Sequence, residues 1–596
     1  MAKYHWLVLA LAQEFALQSP NNNISCNAFS TPSPTTRRSS SSSSSSIKQQ
    51  KNENVNFVDW ISDAPNEIKS WKPLAVEGSI PPYVEGTLVR NGGGIWTSPS
   101  ESEENNMYSH IFDGLAKIHS YRISHEEESS RVDHQARFLE GSWYNQYMTT
   151  KKLPIGIGIG PMLNEDKRPI TGLWRTVRAV LNTAINFDNT CVNIWDYQPS
   201  ASSKDKVLTA LTDAPPRTRI DLETMNTLSS STINPISKGS KGYEMVCTAH
   251  PLYSQKPNDT DTYNCAVEIG PSGSRVNLIK ESTNTKGIGE RTVVTSFPFE
   301  DGTTPYMHSF GLSRNHAVIV LQPLRINTAN LGQSVEVGFL RAMDHVDYTR
   351  IVVVDLNSGD IALDKSIDEK VYFYHTVSTA EIMNDGNGDD LEVSLRLCAY
   401  ETSDMITGEH QFMRLEQARQ SKELRNKISK SKFCDLRCNL SKQTVNVEWN
   451  NEIQQPFELP ITRYSRSYGE DAYPTTGGSK EKGGQDQLHP RYVYAFGYYA
   501  HGGEYENWGL FKFDMEENKI VDCYIEDSVY ISEPAFVADP EGTSEDDGVL
   551  LTHAYFGRER QTKLLVLDAK TMKVLAEAPT GHRAPLDFHG AWIPAL

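Results

Sequence analysis

Four segments of this chain share one pattern: an apolar run, an aspartate, a polar turn and a second apolar run. Residues 219–224 lead into 226–228, 351–360 into 361–363, 510–518 into 519–521, and 564–571 into 572–575, with Asp221, Asp355, Asp514 and Asp568 at the turns. An aspartate there has a mechanical role, because its side chain accepts hydrogen bonds from backbone amides two residues on. Each segment therefore reads as a β-hairpin. Four similar hairpins spread over most of the chain predict a repeated sheet unit of the β-propeller kind. Their irregular intervals require long inserted loops. A large β-sandwich of unrelated hairpins is the alternative. A further strand is expected at 84–94, running into Gly92-Gly93-Gly94, and a further hairpin at 111–122, turning at Asp113-Gly114.

Composition narrows the function classes. The chain has 596 residues, with 58 Lys and Arg against 76 Asp and Glu, a formal charge of −18. Such an acidic body argues against nucleic acid as a partner. No apolar run reaches the roughly 18 residues of a membrane span. Of the eight cysteines, the only close pair is Cys434 and Cys438, without nearby histidines, so reduced thiols are expected rather than a zinc or disulfide framework.

Residues 1–54 read as a targeting presequence. Lys3 precedes the apolar run 6–12, like a short secretory signal. Then come Ala28-Phe29, Arg37-Arg38 and a serine run from Ser39 to Ser46, with no acidic residue across that stretch. A signal peptide joined to a transit peptide resembles the bipartite plastid presequence of algae with secondary plastids. A low-complexity tail is the alternative. Residues 55–596 are expected to form one domain.

Helical signal is sparse. At 172–187 the apolar residues Leu173, Val177, Val180, Leu181, Ala184 and Ile185 share one helical face, with Arg175 and Arg178 off it. The apolar, glycine-rich stretch 154–162 precedes it. Together, 154–187 could dip into a membrane interface as a basic amphipathic segment or pack on the body. A second helix, charged and exposed, is expected at 413–432.

Four of the 16 histidines have unusual settings. His250 ends an apolar strand, His308 precedes the strong strand 317–321, His375 follows Tyr372-Phe373-Tyr374, and His589 sits between Phe588 and Gly590 before Trp592. An imidazole among apolar and aromatic neighbours must find partners when buried. A metal is one way and a satisfied core histidine is the other. No His-x-x-x-His spacing is present to decide between them.

The motifs that hold these residues resemble those of the carotenoid cleavage oxygenases. In order they are Glu85-Gly86-Thr87-Leu88-Val89-Arg90-Asn91-Gly92, Phe112-Asp113-Gly114, Thr248-Ala249-His250-Pro251, Met307-His308-Ser309-Phe310, Phe373-Tyr374-His375, Ser532-Glu533-Pro534 and Phe588-His589-Gly590. The likeness runs from Pro81 to Leu596. It implies an all-β, seven-bladed propeller with inserted loops, and a few short helices over an iron-containing top face. It implies Fe(II) held by His250, His308, His375 and His589, and three carboxylates orienting those rings. Glu458 and Glu533 match two of the three. Asp213 stands where the third is usually Glu, and Ser378 stands where Asn is usual, although Glu381 keeps the later acid.

The implied activity is cleavage of a C=C bond in a carotenoid or apocarotenoid by O2, giving aldehyde or ketone fragments. Most mononuclear oxygenases hold iron with two histidines and a carboxylate. Four neutral imidazoles instead leave the 2+ charge uncompensated. The alternatives on the same scaffold are a retinoid isomerohydrolase, which needs no oxygen, and a stilbene-type phenylpropanoid dioxygenase. A non-catalytic binding propeller has no need of four histidine motifs.

Overall fold

The computed structural model describes residues 55–595, apart from 99–105, 127–128, 165–172, 198–205, 232–241, 271–272, 283–290, 300–302, 328–330, 384–389, 409–413 and 468–486. The expected presequence thus lies outside the described residues. Half of the chain is strand and 11% helix, so the all-β expectation holds. Among the described residues, seven antiparallel sheets have four or more strands. They are the blades of a seven-bladed β-propeller.

The axial strands, in blade order, are Asp587–Pro594, Asn193–Asp196, Tyr243–Cys247, Gly311–Leu312, Tyr372–Met383, Phe457–Ile461 and Val529–Ile531. Blade 1 is completed from far along the chain: Asp587–Pro594 pairs with Gly86–Gly93. Glu77–Gly78 in turn pairs with Val574–Pro579 of blade 7. The two ends of the ring are therefore stitched in both directions.

The four sequence hairpins are the outer turns of blades 2, 4, 6 and 7. Their aspartates accept backbone amides, two residues on at Asp355 and Asp514 as expected and three residues on at Asp221 and Asp568. Asp355 Oδ1 accepts from the Asn357 amide at 2.7 Å, Asp514 Oδ1 from Glu516 at 3.1 Å, Asp568 Oδ1 from Thr571 at 2.7 Å and Asp221 Oδ1 from Thr224 at 2.7 Å. The core lies between neighbouring blades. Val318, Val320, Ile351 and Val353 of blade 4, for example, pack on Val393, Leu395 and Leu397 of blade 5. Sandwiched sheets bury both faces, which is why these strands read as continuous apolar runs.

Two local expectations change. Residues 111–113 form a 3-10 turn rather than a strand, started by His110, whose ring accepts from the Phe112 amide. The Asp113 side chain is committed elsewhere, to the amides of Ile159 and Gly160 at 2.8 and 2.9 Å. This ties the glycine-rich stretch to Phe112-Asp113-Gly114. The exposed helix expected at 413–432 is two short helices, Leu415–Gln420 and Lys422–Arg425. They break at Ser421, which caps the second, and they bury Leu415, Ala418 and Arg425. The helix expected at 172–187 is present as Leu173–Asn186, with Val180 buried and Ile185 53% exposed. The seven described cysteines are free. No helix among the described residues is long and apolar enough to cross a membrane.

The seam between blades 1 and 7 holds a second group of histidines. His119 and His134 come from adjacent strands of blade 1, His553 from Gly548–Phe556 of blade 7, and His582 from the turn before the closing strand. The His119 ring lies 6.0 Å from His134, 5.9 Å from His553 and 5.8 Å from His582. Neither ring nitrogen of His119 or His134 has a hydrogen-bond partner. Burial, with Lys117 and the other rings, holds both far below the ordinary histidine value, and burial, Lys117 and Arg583 lower His582 to about 4. The charged groups around them also include Lys72, and Asp587, whose Oδ2 is 3.0 Å from His553 Nε2.

The His119, His134 and His582 rings are neutral in the fold and take up protons once unfolded. The stability they allow is complete above the unfolded value of 6.5 and is lost as pH falls toward about 4. Each such ring costs up to about 1.4 kcal/mol per pH unit in that window. The melting temperature should fall between about pH 7.5 and about pH 5, and less steeply in His134→Phe, which keeps the stack on Tyr121 (4.8 Å). Equal slopes in the two proteins would dissociate the seam from acid sensitivity.

Candidate metal centre

The blades bring the seven sequence-predicted side chains to the axis, one from each blade. Blade 1 supplies His589, blade 2 Asp213, blade 3 His250, blade 4 His308, blade 5 His375, blade 6 Glu458 and blade 7 Glu533. The backbone is irregular where it delivers them. The pairing of blade 5 shifts between Phe373 and His375, and that of blade 6 between Glu458 and Ile461. A bulge re-aims a side chain that a regular strand would point into the neighbouring blade. Leu459, after Glu458, takes the left-handed conformation at φ 49°, a cost that surrounding structure must sustain.

One nitrogen from each of His250, His308, His375 and His589 falls within 4.8 Å of the others. Each ring has its Nδ1 against an acceptor. His308 Nδ1 donates to Asp213 Oδ2 at 2.5 Å, His375 Nδ1 to Glu458 Oε2 at 2.7 Å and His589 Nδ1 to Glu533 Oε1 at 2.7 Å. His250 Nδ1 donates to the His308 carbonyl at 3.0 Å. The shorter Asp213 therefore reaches its histidine. Its other oxygen accepts the Ala249 amide at 3.0 Å, so one carboxylate fixes the segments of two histidines.

With Nδ1 protonated, each Nε2 carries only a lone pair. His250 Nε2 lies 2.9 Å from His589 Nε2, and His375 Nε2 lies 3.1 Å from it. His308 Nε2 is buried without a hydrogen-bond partner. Lone pairs this close repel unless a cation lies among them, so the donor set fits a metal ion. Burial and the neighbouring rings hold His250 and His589 well below the ordinary histidine value, keeping both neutral as ligation requires.

The carboxylates are held in turn. Burial pushes Glu458 up, but His375 and the hydrogen bonds from His375, Tyr400 and the Leu459 amide bring it below its ordinary value. Glu533 Oε2 accepts from Arg90 at 2.7 Å and from the Gly590 amide at 3.1 Å. Arg90 also donates to Asp587 at 2.9 and 3.0 Å and to the Phe588 carbonyl at 2.7 Å. Gly590 permits this packing, since a Cβ there would meet the Val89 carbonyl oxygen at 2.4 Å.

Sequence reasoning gave no role to Arg90 or Tyr400. A lone arginine in a buried apolar strand is a signal that could have found the first. The carbonyl that orients His250 has no sequence signal. Ser378 and Glu381 do not bond the four converging imidazoles. Ser378 Oγ bonds His489 Nδ1 at 2.8 Å, and Glu381 accepts from Ser313, Asn315 and His316.

Two cavities reach the histidines. A cleft lined by Phe112, Tyr374, Phe496, Tyr498, Trp508 and Phe588 meets His308, His375 and His589. A larger chamber of about 410 Å³ meets His250, His375 and His589 and contains polar groups as well as apolar ones.

If the Asp213 contact orients His308 for a metal, Asp213→Asn should bind a divalent ion about 10- to 100-fold more weakly in calorimetry, with an unchanged melting profile for the metal-free protein. Equal affinity would remove Asp213 from the centre.

The sequence profile described as retinal pigment epithelial membrane protein matches residues 62–594. The mitochondrial carotenoid-cleaving dioxygenase of Macaca fascicularis is 25% identical over 568 residues, covering 90% of this chain and 93% of its own. The beta,beta-carotene 15,15'-dioxygenase of Gallus gallus is 23% identical over 554 residues, covering 87% and 95%. Among solved structures, an apocarotenoid oxygenase mutant of Synechocystis matches with a TM-score of 0.68 at 17% identity, over 90% of this chain and 98% of that one. The cobalt-substituted Synechocystis enzyme matches with a TM-score of 0.67 at 18% identity, over 90% and 98%. At such identity the structures speak for the fold, and the profile speaks for descent: the chain belongs to the retinal pigment epithelial membrane protein family, the carotenoid cleavage oxygenases.

Proposed function

We propose that the chain is a non-haem Fe(II) dioxygenase that cleaves a C=C bond of a carotenoid or apocarotenoid with O2, giving aldehyde or ketone products. The observation that carries this reading is the convergence of four proton-free Nε2 atoms beside an aromatic cleft. Iron bound there would supply the activation of dioxygen. His250, His308, His375 and His589 would hold it, and Asp213, Glu458 and Glu533 would fix their rings.

The remaining residues do the positioning. Phe112 packs edge-to-face on Phe588 at 4.6 Å and lies parallel to His308 at 6.5 Å, and Phe496 stacks on Trp508 at 4.8 Å. The cleft measures about 30 Å³ in this structure, so a polyene would have to part these walls, which would then exclude water and hold it by dispersion with one double bond beside the centre. No acid or base is required of the cleft. One hydroxyl in it, Tyr374 Oη, is buried without a hydrogen-bond partner, with its ring 4.9 Å from that of His308. An unpaired donor costs about 1–3 kcal/mol, which an oxygenated substrate group would recover. This favours an apocarotenoid or hydroxylated carotenoid over a hydrocarbon.

The stretch 154–187 would contact the bilayer that stores the substrate, led by the exposed Ile185. Residues 1–54 would deliver the chain to a plastid. Ile185→Asp should lose flotation with liposomes, and a reporter carrying residues 1–54 should enter plastids of an alga with secondary plastids; unchanged flotation or a cytosolic reporter would remove these two roles.

The iron-loaded chain, incubated with a carotenoid and apocarotenoid panel, should give aldehydes or ketones in air and none without oxygen. Products formed equally without oxygen would turn the reading to isomerohydrolase chemistry. Tyr374→Phe should raise KM about tenfold for the oxygenated substrates and leave hydrocarbon carotenes unchanged. An equal effect on both would place Tyr374 outside substrate recognition.

A further inference from the structure

The larger chamber carries a charge imbalance that the proposed cleavage does not use. Its lining contains two arginines, Arg463 and Arg466, and one acid, Glu533. Both Glu533 oxygens are already engaged, one by His589 Nδ1 and the other by Arg90 and the Gly590 amide. Arg466 makes no ion pair among the described residues. It donates to the Ile194 carbonyl and to Asn193 Oδ1, both at 2.8 Å, and lies over the Trp195 ring at 5.0 Å. Asn193 is fixed in that orientation, since its Nδ2 donates to the Ala249 carbonyl at 2.7 Å. Among the described residues Arg463 likewise donates only to carbonyls, those of Ser544 and Asp547, at 2.9 and 3.4 Å.

A guanidinium has five N–H donors. Two of those of Arg466 are used, and no described residue accepts from the other three. Burial pulls the Arg466 guanidinium below its ordinary value, although Glu533 acts the other way. Arg466 is half-buried and opens on the chamber, so an anion there would take the place of water on its free donors. A planar fork that keeps donors free matches a planar oxyanion. The other nearby acid, Asp196, is taken by Lys206 at 2.9 Å.

We propose that the chamber is a receptor site for a small monovalent carboxylate or bicarbonate, held by Arg466 against the Trp195 side of the cavity and next to His250 and His589. The site is distinct from the aromatic cleft, which meets His308 rather than His250. Anion binding rests on this chain's own residues and needs no metal. Only its effect on turnover rests on the proposed cleavage, so the two readings fail separately.

Formate is the probe, titrated calorimetrically into the metal-free, full-length chain at fixed ionic strength with chloride. One formate per chain should bind, and Arg466→Met, which keeps the stem and loses the fork, should weaken it at least about tenfold. Arg466→Lys, which keeps the charge, should bind several-fold more weakly than the parent chain and covers the case in which Arg466→Met does not fold. No saturable binding by the parent chain would overturn the proposal, as would equal affinity in the folded variants. With the iron-loaded enzyme, formate inhibition should be noncompetitive toward the polyene. Competitive inhibition would place the anion in the aromatic cleft and overturn the assignment to the chamber.

Discussion

The structure depends on a repulsion. Four imidazoles are turned so that each spends its only N–H on an outer acceptor, which leaves four lone pairs facing one another across a few ångströms. Nothing among the described residues relieves this, and the groups around it sustain it. The outer acceptors are three carboxylates and one carbonyl, and the carboxylates stand on blades that supply no histidine. Four blades present ligands and three present the groups that orient them. A propeller suits this arrangement because each blade can deliver one side chain to a common point from its own direction.

Much of this was legible in the sequence, for identifiable reasons. The outer hairpins carry their own turn chemistry, so Asp221, Asp355, Asp514 and Asp568 mark four blades locally. The histidines sit among aromatic and small residues that an exposed histidine would not need, and the family motifs fix which four they are. What was not legible is what arises only when distant strands meet. Nothing beside Asp213 in the sequence says that it reaches both His308 and the amide before His250. His119 and His134 look like ordinary strand residues until blade 7 covers them. Residues 111–113 read as a strand because Ile111 and Phe112 are apolar, but Asp113 is drawn to the amides of Ile159 and Gly160, and the segment curls to let it reach them.

Arg90 shows how closely the scaffold and the centre are joined. It is fully buried, and it touches the closing strand through Asp587 and the Phe588 carbonyl, and blade 7 through Glu533. The same side chain that helps seal blade 1 to blade 7 therefore sets the carboxylate that orients His589. Asp587 extends the link to His553 at the seam, 3.0 Å away. Stability of the ring and alignment of one histidine are one network viewed from two ends.

The closing strand also ties the centre to the closure of the ring. His589 lies 339 residues from His250 and 214 from His375 along the chain. Contacts of such sequence separation raise the contact order, which slows folding. An unclosed ring offers three of the four histidines, and a metal that prefers the complete set acts as a rivet placed after the ring has met itself. Because an ion bound only to the closed form shifts the equilibrium toward it, occupancy and closure reinforce each other. A metal that needs all four imidazoles could be held only by the closed ring.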